Sequence, residues 1–224
     1  FNFQDKGKDE VSLRPEMTPT VARMIAAAER AYRKPIKWFS MPQLFRYEAP
    51  QKGRLREHFQ LNCDLYGEED PAADAEVVAL LIDVLRSLGL TEEDFVVRLS
   101  SRKAWQAFYE SQGGKPEHAY DFFQAVDKME RDDAETIAKR LAPTGVTPES
   151  VKSFIEAGIP TVELQGILDN LSARGLGSFV KVDYGVIRGL AYYTGVVFEA
   201  FDRKGEFRAI AGGGRYDNLV GLLS

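Results

Sequence analysis

The chain has 224 residues, 44% of them hydrophobic and 28% charged, with a net charge of −5. That is the composition of one large globular domain or a domain with an insertion, and the acidic balance argues against a general nucleic-acid coat protein while leaving room for a local basic groove. The single Cys63 excludes an internal disulfide and fits a reducing compartment, and one cysteine with two histidines cannot build a usual zinc site, so no structural metal is expected. The longest apolar run, Val77 to Leu85, is short and broken by Asp83, so neither a membrane span nor a signal peptide is expected.

Phe1 to Gln4, a turn at Asp5 to Lys8, and Glu10 to Arg14 read as a β-hairpin. Thr18 is placed to cap a helix that begins at Pro19, with Val21, Met24, Ile25, Ala28, Ala31 and Tyr32 at helical spacing and an end before Pro35. Glu16 and Thr18 then sit at a strand-to-helix junction, where capping and ligand contact are both open to Thr18. Pro35 to Met41 leads into a charged hairpin, and its return strand runs on from Phe59 to Tyr66. A helix follows from Pro71 to a C-terminal stop at Gly89, then a short strand over Phe95 to Leu99.

Between Arg102 and Gly177 the pattern is helical. The stripes Phe122, Phe123, Val126, Met129 and Val151, Phe154, Ile155 read as a small core rather than a cofactor box. The basic residues of this region stand among as many acids and read as a solvated face. Phe179 to Tyr184, Tyr192 to Asp202 and Glu206 to Ile210 read as antiparallel strands, with the turn Asp202 to Gly205 joining the last two. Gly212, Gly213 and Gly214 let the backbone pass close to something, and Arg215 to Leu223 starts a helix. The fold class is therefore α+β: a mostly antiparallel sheet flanked by helices, with a helical insertion at 102–177 between core segments 1–101 and 178–224. No Walker-type Gly-Lys-Ser/Thr run occurs.

The charged hairpin runs Phe45-Arg46-Tyr47-Glu48-Ala49-Pro50-Gln51-Lys52-Gly53-Arg54-Leu55-Arg56-Glu57-His58-Phe59-Gln60. It crowds planar guanidinium forks, suited to phosphate, beside a ring that can stack and an amide that can fix orientation. It reads as an ATP-handling hairpin; a solvated charged hairpin is the plainer alternative. On its return strand, period two puts Gln60, Asn62 and Asp64 on one face and Phe59, Leu61, Cys63 and Leu65 on the other. The polar stripe is read as lining a site, since it continues the arginine hairpin, rather than as a sheet face in water.

Phe-Arg-x-Glu, a loop, then Gly-Arg-x-Arg-Glu resembles motif 2 of class II aminoacyl-tRNA synthetases. Leu13-Arg14-Pro15-Glu16-Met17-Thr18 resembles a substrate strand of the histidyl-tRNA synthetase family, Arg188-Gly189-Leu190-Ala191-Tyr192-Tyr193-Thr194-Gly195 resembles its histidine-binding signature, and Gly212-Gly213-Gly214-Arg215-Tyr216-Asp217 follows in order. The four motifs cover nearly the whole chain. Ala191 stands where the signature more often has aspartate, and Asp64 is one methylene shorter than the glutamate of many bacterial members.

The resemblance implies activation of L-histidine with ATP to histidyl-adenylate and its transfer to the 3′ end of tRNA(His). It implies that Arg46 and Arg188 grip the α-phosphate, Arg188 replacing part of what magnesium does in other class II enzymes. Arg54 and Arg56 would reach the outer phosphates, Glu48 the adenine amino group, and His58 would stack on the base. Glu16, Thr18 and Gln60 match positions holding the amino acid's ammonium and carboxylate ends, with Gln60 counted among the catalytic positions. Asp64 and Tyr193 match positions that bond the imidazole, with Tyr192 and Tyr216 completing the wall. Paired strand aromatics remain the alternative for Tyr192 and Tyr193. Mg2+ is expected with ATP, its ligands not identifiable here. A homodimeric parent and a cytoplasmic location, or an organellar one in a eukaryote, are implied as well.

Opening on Phe1 inside a strand pattern and stopping at Ser224 inside a helix pattern leads to the expectation of a piece of a longer protein, without motif 1, motif 3 and the anticodon-binding domain. Two rivals stand beside this reading. One is the regulatory subunit of ATP phosphoribosyltransferase, a histidine-sensing paralogue that shares the fold; retention of Arg46, Glu48, Arg188 and the tyrosine pair disfavours it. The other is another class II synthetase, for threonine or proline, which the Arg-Gly-Leu-x-Tyr-Tyr signature disfavours.

Overall fold

The computed structural model describes residues 1–49, 53, 55–129, 132–187 and 192–223. Contacts divide the chain into two units, Phe1–Ala73 with Asn218–Ser224, and Asp74–Asp217.

In the first unit, β1 (Asn2–Gln4) and β2 (Glu10–Ser12) form the expected antiparallel hairpin. Helix α1 (Thr18–Ala28) starts one residue earlier than expected. Met17 is the N-cap, no side chain caps the helix, and Thr18 is its first residue. The capping role expected of Thr18 is thus corrected: a residue already inside the first turn has its hydroxyl misplaced for the cap bond. The helix also stops sooner, at Ala28, and a 3-10 turn over Glu29–Ala31 carries the chain on, so Tyr32 lies outside it. Val21, Ala22 and Ile25 form its buried face.

β3 (Ile36–Ser40) pairs antiparallel with β6 (Asn62–Tyr66), and β4 (Gln43–Phe45) pairs with β5 (Glu57–Phe59). The return strand expected from Phe59 to Tyr66 is therefore two strands of two different sheets. The chain steps between them at Gln60, whose N–H donates to the Pro42 carbonyl at 3.1 Å.

The alternation holds across the step. On the polar face Ile36, Asn62 and Tyr66 are buried, whereas Phe39, Phe59 and Leu61 on or beside the apolar face are exposed, Phe39 by 76%. The polar stripe is the inward one.

In the second unit the sheet order is β10-β9-β7-β8, with β7 (Phe95–Ser101), β8 (Val180–Val182), β9 (Val196–Asp202) and β10 (Ala211–Gly214). β7 is buried on both sides apart from the half-buried Arg98, as suits a central strand. β9 runs antiparallel to both β7 and β10, whereas β8 runs parallel to β7, correcting the expectation that all late strands are antiparallel. A parallel neighbour needs a crossover. The helices α3 (Arg102–Ser111), α4 (Ala119–Asp127), α5 (Ala134–Leu141), α6 (Pro148–Ala157) and α7 (Val162–Ala173) lie in that connection, after α2 (Pro71–Ser87), which enters this unit at Asp74.

Their apolar stripes join the sheet in one core. Trp105, Phe122, Val126 and Val151 cluster with Val97, Leu99 and Phe198, so the stripes serve a larger core than the small one expected. Polar ends of the core aromatics find backbone partners, as burial requires. Trp105 Nε1 donates to the Tyr184 carbonyl at 3.1 Å, and Tyr109 Oη to that of Lys115 at 2.8 Å.

Three local expectations are revised at the end of the chain. Tyr192 to Gly195 precede β9 as a turn, because β9 begins at Val196. Glu206–Ile210 is not a strand; the glycine run itself is, as β10. The terminal helix is only α8 (Leu219–Leu222), not Arg215 to Leu223. A glycine strand fits because it lies on rings: a Cβ at Gly213 would come within 2.6 Å of the Phe198 ring, and one at Gly214 within 2.7 Å of the Tyr193 ring.

Candidate functional site

In the first unit, the β4–β5 pairing places Arg46 and Arg56 on facing arms of the charged hairpin, the Arg46 N–H donating to the Arg56 carbonyl at 2.9 Å. Arg46 Nε donates to the Pro15 carbonyl at 2.9 Å, beside Glu16. That bond uses the inner nitrogen and fixes the guanidinium plane, while the terminal nitrogens make no bond to a described residue. Arg56 Nε donates to the Glu48 carbonyl at 3.1 Å, and its guanidinium lies 4.5 Å from the centre of the Tyr47 ring. His58 sits in β5 opposite the buried Leu44, and Gln43 in β4 bonds Glu57 in β5. Arg46, Glu48, Arg56 and His58 are thus carried by one hairpin. Arg54 falls outside the described residues.

Next along the chain, Gln60 Nε2 donates to Asn62 Oδ1 at 3.3 Å and Asn62 Nδ2 to Asp64 Oδ2 at 2.5 Å. The polar stripe is a connected ladder on the inward face of β6. Ser40 Oγ, opposite Asn62 in β3, is buried with no hydrogen-bond partner among the described residues. A buried hydroxyl without a partner is costly and suits a face that takes a polar ligand. Burial, with the Asp64 carboxylate beside it, pushes the Cys63 thiol up, which makes it a poor nucleophile. Glu16 and Thr18 stand half-buried at the junction into α1.

In the second unit, Tyr192 and Tyr193 have ring centres 5.0 Å apart, and Tyr192 and Tyr216 meet edge-on at 6.0 Å. Tyr193 is buried, packs with Val186 and Val197, and borders a cleft of about 390 Å³ lined also by Thr194, Arg102, Gln106 and Phe123. The three tyrosines named from the sequence are therefore brought together. Arg188 falls outside the described residues, as does Ala191.

Sequence reasoning missed the groups that hold this cluster. Arg215 donates to Asp74 through Nε at 3.2 Å to both carboxylate oxygens and through a terminal nitrogen at 2.7 Å. Thr194 Oγ1 donates to Asp217 Oδ2 at 2.6 Å. On Arg215, burial works to weaken the base, but the bonds and charge of Asp74 outweigh it and hold the guanidinium charged. Arg215 and Asp217 lie inside a quoted motif; Asp74, at the start of α2, carries no local signal.

Among the described residues no three histidine, cysteine or acidic side chains group to hold a metal ion, and no helix is long and apolar enough to cross a membrane.

Residues 1–223 match the family model for histidyl-tRNA synthetase. The chain is 47% identical to a histidine–tRNA ligase of Opitutus terrae across its whole length, and 43% identical to one of Natronomonas pharaonis over 98% of it. It spans about half the length of these curated relatives, 56% and 55%. Its fold matches a crystal structure described as an ATP phosphoribosyltransferase regulatory subunit/histidyl-tRNA synthetase from Bacillus halodurans C. The TM-score is 0.81 at 24% identity, covering all of this chain and 62% of that one.

Proposed function

Because the chain belongs to the histidyl-tRNA synthetase family, we propose that it carries the histidine-activating chemistry of a histidine–tRNA ligase. The histidine carboxylate attacks the α-phosphorus of ATP, an acyl-phosphate bond forms, the bond to the β-phosphate breaks and pyrophosphate leaves. The 3′-terminal hydroxyl of tRNA(His) then takes the histidyl group and AMP leaves. No covalent enzyme intermediate is needed, so positioning and fixed positive charge carry the first step.

The observation that carries the reading is the anchoring of Arg46. With Nε held by the Pro15 carbonyl at 2.9 Å, its outer edge is a preset fork for the α-phosphate. Arg188 would be the second grip and Arg54 with Arg56 would meet the outer phosphates. Glu48 would accept from the adenine amino group and His58 would stack on the base. Gln60, Glu16 and Thr18 are assigned to the ammonium and carboxylate of histidine. Asp64 and Tyr193 are assigned to its imidazole, with Tyr192 and Tyr216 as the wall. An imidazole offers a nitrogen on each side, which a carboxylate and a phenol can engage together. Magnesium would arrive with ATP as part of the substrate complex. Pairing of two copies and a cytoplasmic or organellar setting complete the proposal.

The matching fold described as an ATP phosphoribosyltransferase regulatory subunit/histidyl-tRNA synthetase carries both names, so the fold does not separate the two readings. The arginines assigned to phosphate support the ligase reading, since a sensor has no α-phosphate to neutralise. The test is histidine-dependent exchange of labelled pyrophosphate into ATP by the whole protein that carries this chain. Exchange with histidine, and none with proline or threonine, is expected. Histidine binding without exchange would transfer the assignment to the sensor.

A further inference from the structure

Tyr193 is held by a chain of contacts that ends on a residue far away in sequence. Its ring lies on the backbone of Gly214, where a Cβ would approach to 2.7 Å. The next residue, Thr194, donates its N–H to the Arg215 carbonyl at 2.8 Å and its hydroxyl to Asp217 at 2.6 Å, and accepts from the Asp217 N–H at 3.1 Å. Residues 193–194 are thus bracketed onto 214–217.

The bracket is itself fixed at two ends. On one side Gly214 pairs with Val197, and the Arg215 N–H donates to the Val196 carbonyl at 2.8 Å. On the other, the Arg215 guanidinium forks onto Asp74, with side chains only 11% and 10% exposed. The aliphatic part of Arg215 also lies against Gly195, where a Cβ would meet Arg215 Cδ at 3.1 Å. A buried ion pair gains little net stability, because removing both charges from water opposes their attraction. Its effect is directional: a planar fork on a carboxylate admits one arrangement.

We propose that Asp74 and Arg215 are positioning residues that set Tyr193 for the amino-acid substrate. The inference rests on the histidine reading of Tyr193. It assigns to Asp74 a part in substrate selection although that residue stands outside every recognised motif.

The test replaces both charges by apolar groups of similar size, Asp74→Leu with Arg215→Met, and compares the variant with the parent protein by calorimetry and thermal unfolding. Thermal stability is expected to stay near that of the parent. The histidine dissociation constant should rise at least about tenfold while that of ATP moves less than about twofold. Tyr193→Phe should cost less in the variant than in the parent, the non-additivity of groups acting through one another. Arg215→Lys, which keeps the charge and loses the fork, should show the same split should the double variant not fold. Unchanged histidine affinity in a folded variant, or equal losses for histidine and ATP, overturns the proposal. A parent that binds no histidine overturns the histidine reading itself.

Discussion

Asn62 joins Asp64 at 2.5 Å and accepts from Gln60 at 3.3 Å, so three alternate residues of one chain segment act as a single polar strip. Asn62 spends its carbonyl on Gln60 and one amide hydrogen on Asp64. That arrangement fixes the three side chains relative to one another. With Asp64 assigned to the imidazole, Asp64→Asn should weaken histidine at least about tenfold, the loss of a charge-assisted bond worth about 1.5–3 kcal/mol. Thermal unfolding should stay close to that of the parent. Calorimetric titration with histidine checks this; an unchanged affinity removes Asp64 from the imidazole.

Arg46→Lys should behave almost like Arg46→Ala. Lysine keeps the charge but cannot donate to the Pro15 carbonyl through an inner nitrogen while presenting a fork outward. Adenylate formation should slow by about two orders of magnitude or more in both. Single-turnover kinetics decide it, and a lysine variant near the parent rate would show that charge alone suffices.

Gly214→Ala should destabilise the second unit by about 1–3 kcal/mol, the usual cost of forcing an extra methyl into a packed place. The new Cβ would stand 2.7 Å from the Tyr193 ring and 2.9 Å from the Val196 carbonyl oxygen. Denaturant unfolding measures the loss. Gly166→Ala, at a helix position with open space around it, is the control and should be neutral or stabilising.

The sequence signals were strongest where chemistry and pairing coincide. The hairpin carrying Arg46, Glu48, Arg56 and His58 and the face shared by Gln60, Asn62 and Asp64 follow from residue type and period, whereas the grouping of Tyr192, Tyr193 and Tyr216 followed only from the family resemblance. Environment was less legible. Period two says which side chains share a face, but not how far each is covered, and Phe39 and Phe59 stand exposed. Nor does local propensity foresee a strand made of glycines, because what selects Gly213 and Gly214 is the Phe198 and Tyr193 rings against them. Asp74 was invisible for a similar reason, since its partner Arg215 is 141 residues away.

Acid should weaken the fold through capping and turn carboxylates. Backbone N–H bonds from Thr136 hold Asp133 below the ordinary carboxylate range, and those from Thr91 and Glu206 do the same for Asp94 and Asp202. A carboxyl with a folded-state pKa below its unfolded one stabilises above the unfolded value, about 3.9, and that stabilisation is lost as pH falls through the folded value. The thermal midpoint should therefore drop on acidification below about pH 4, and less steeply in Asp133→Asn. Identical slopes in parent and variant would remove Asp133 from the account.

The most direct measurement is calorimetric titration with a stable histidyl-adenylate analogue, free histidine, and the prolyl and threonyl analogues alongside. If the arginine hairpin and the histidine-directed residues serve one reaction, the histidyl-adenylate analogue binds at least about a hundredfold tighter than histidine, and the other analogues bind far more weakly. Equal affinity for histidine and its adenylate analogue would contradict that account, because the hairpin would then contribute nothing to binding.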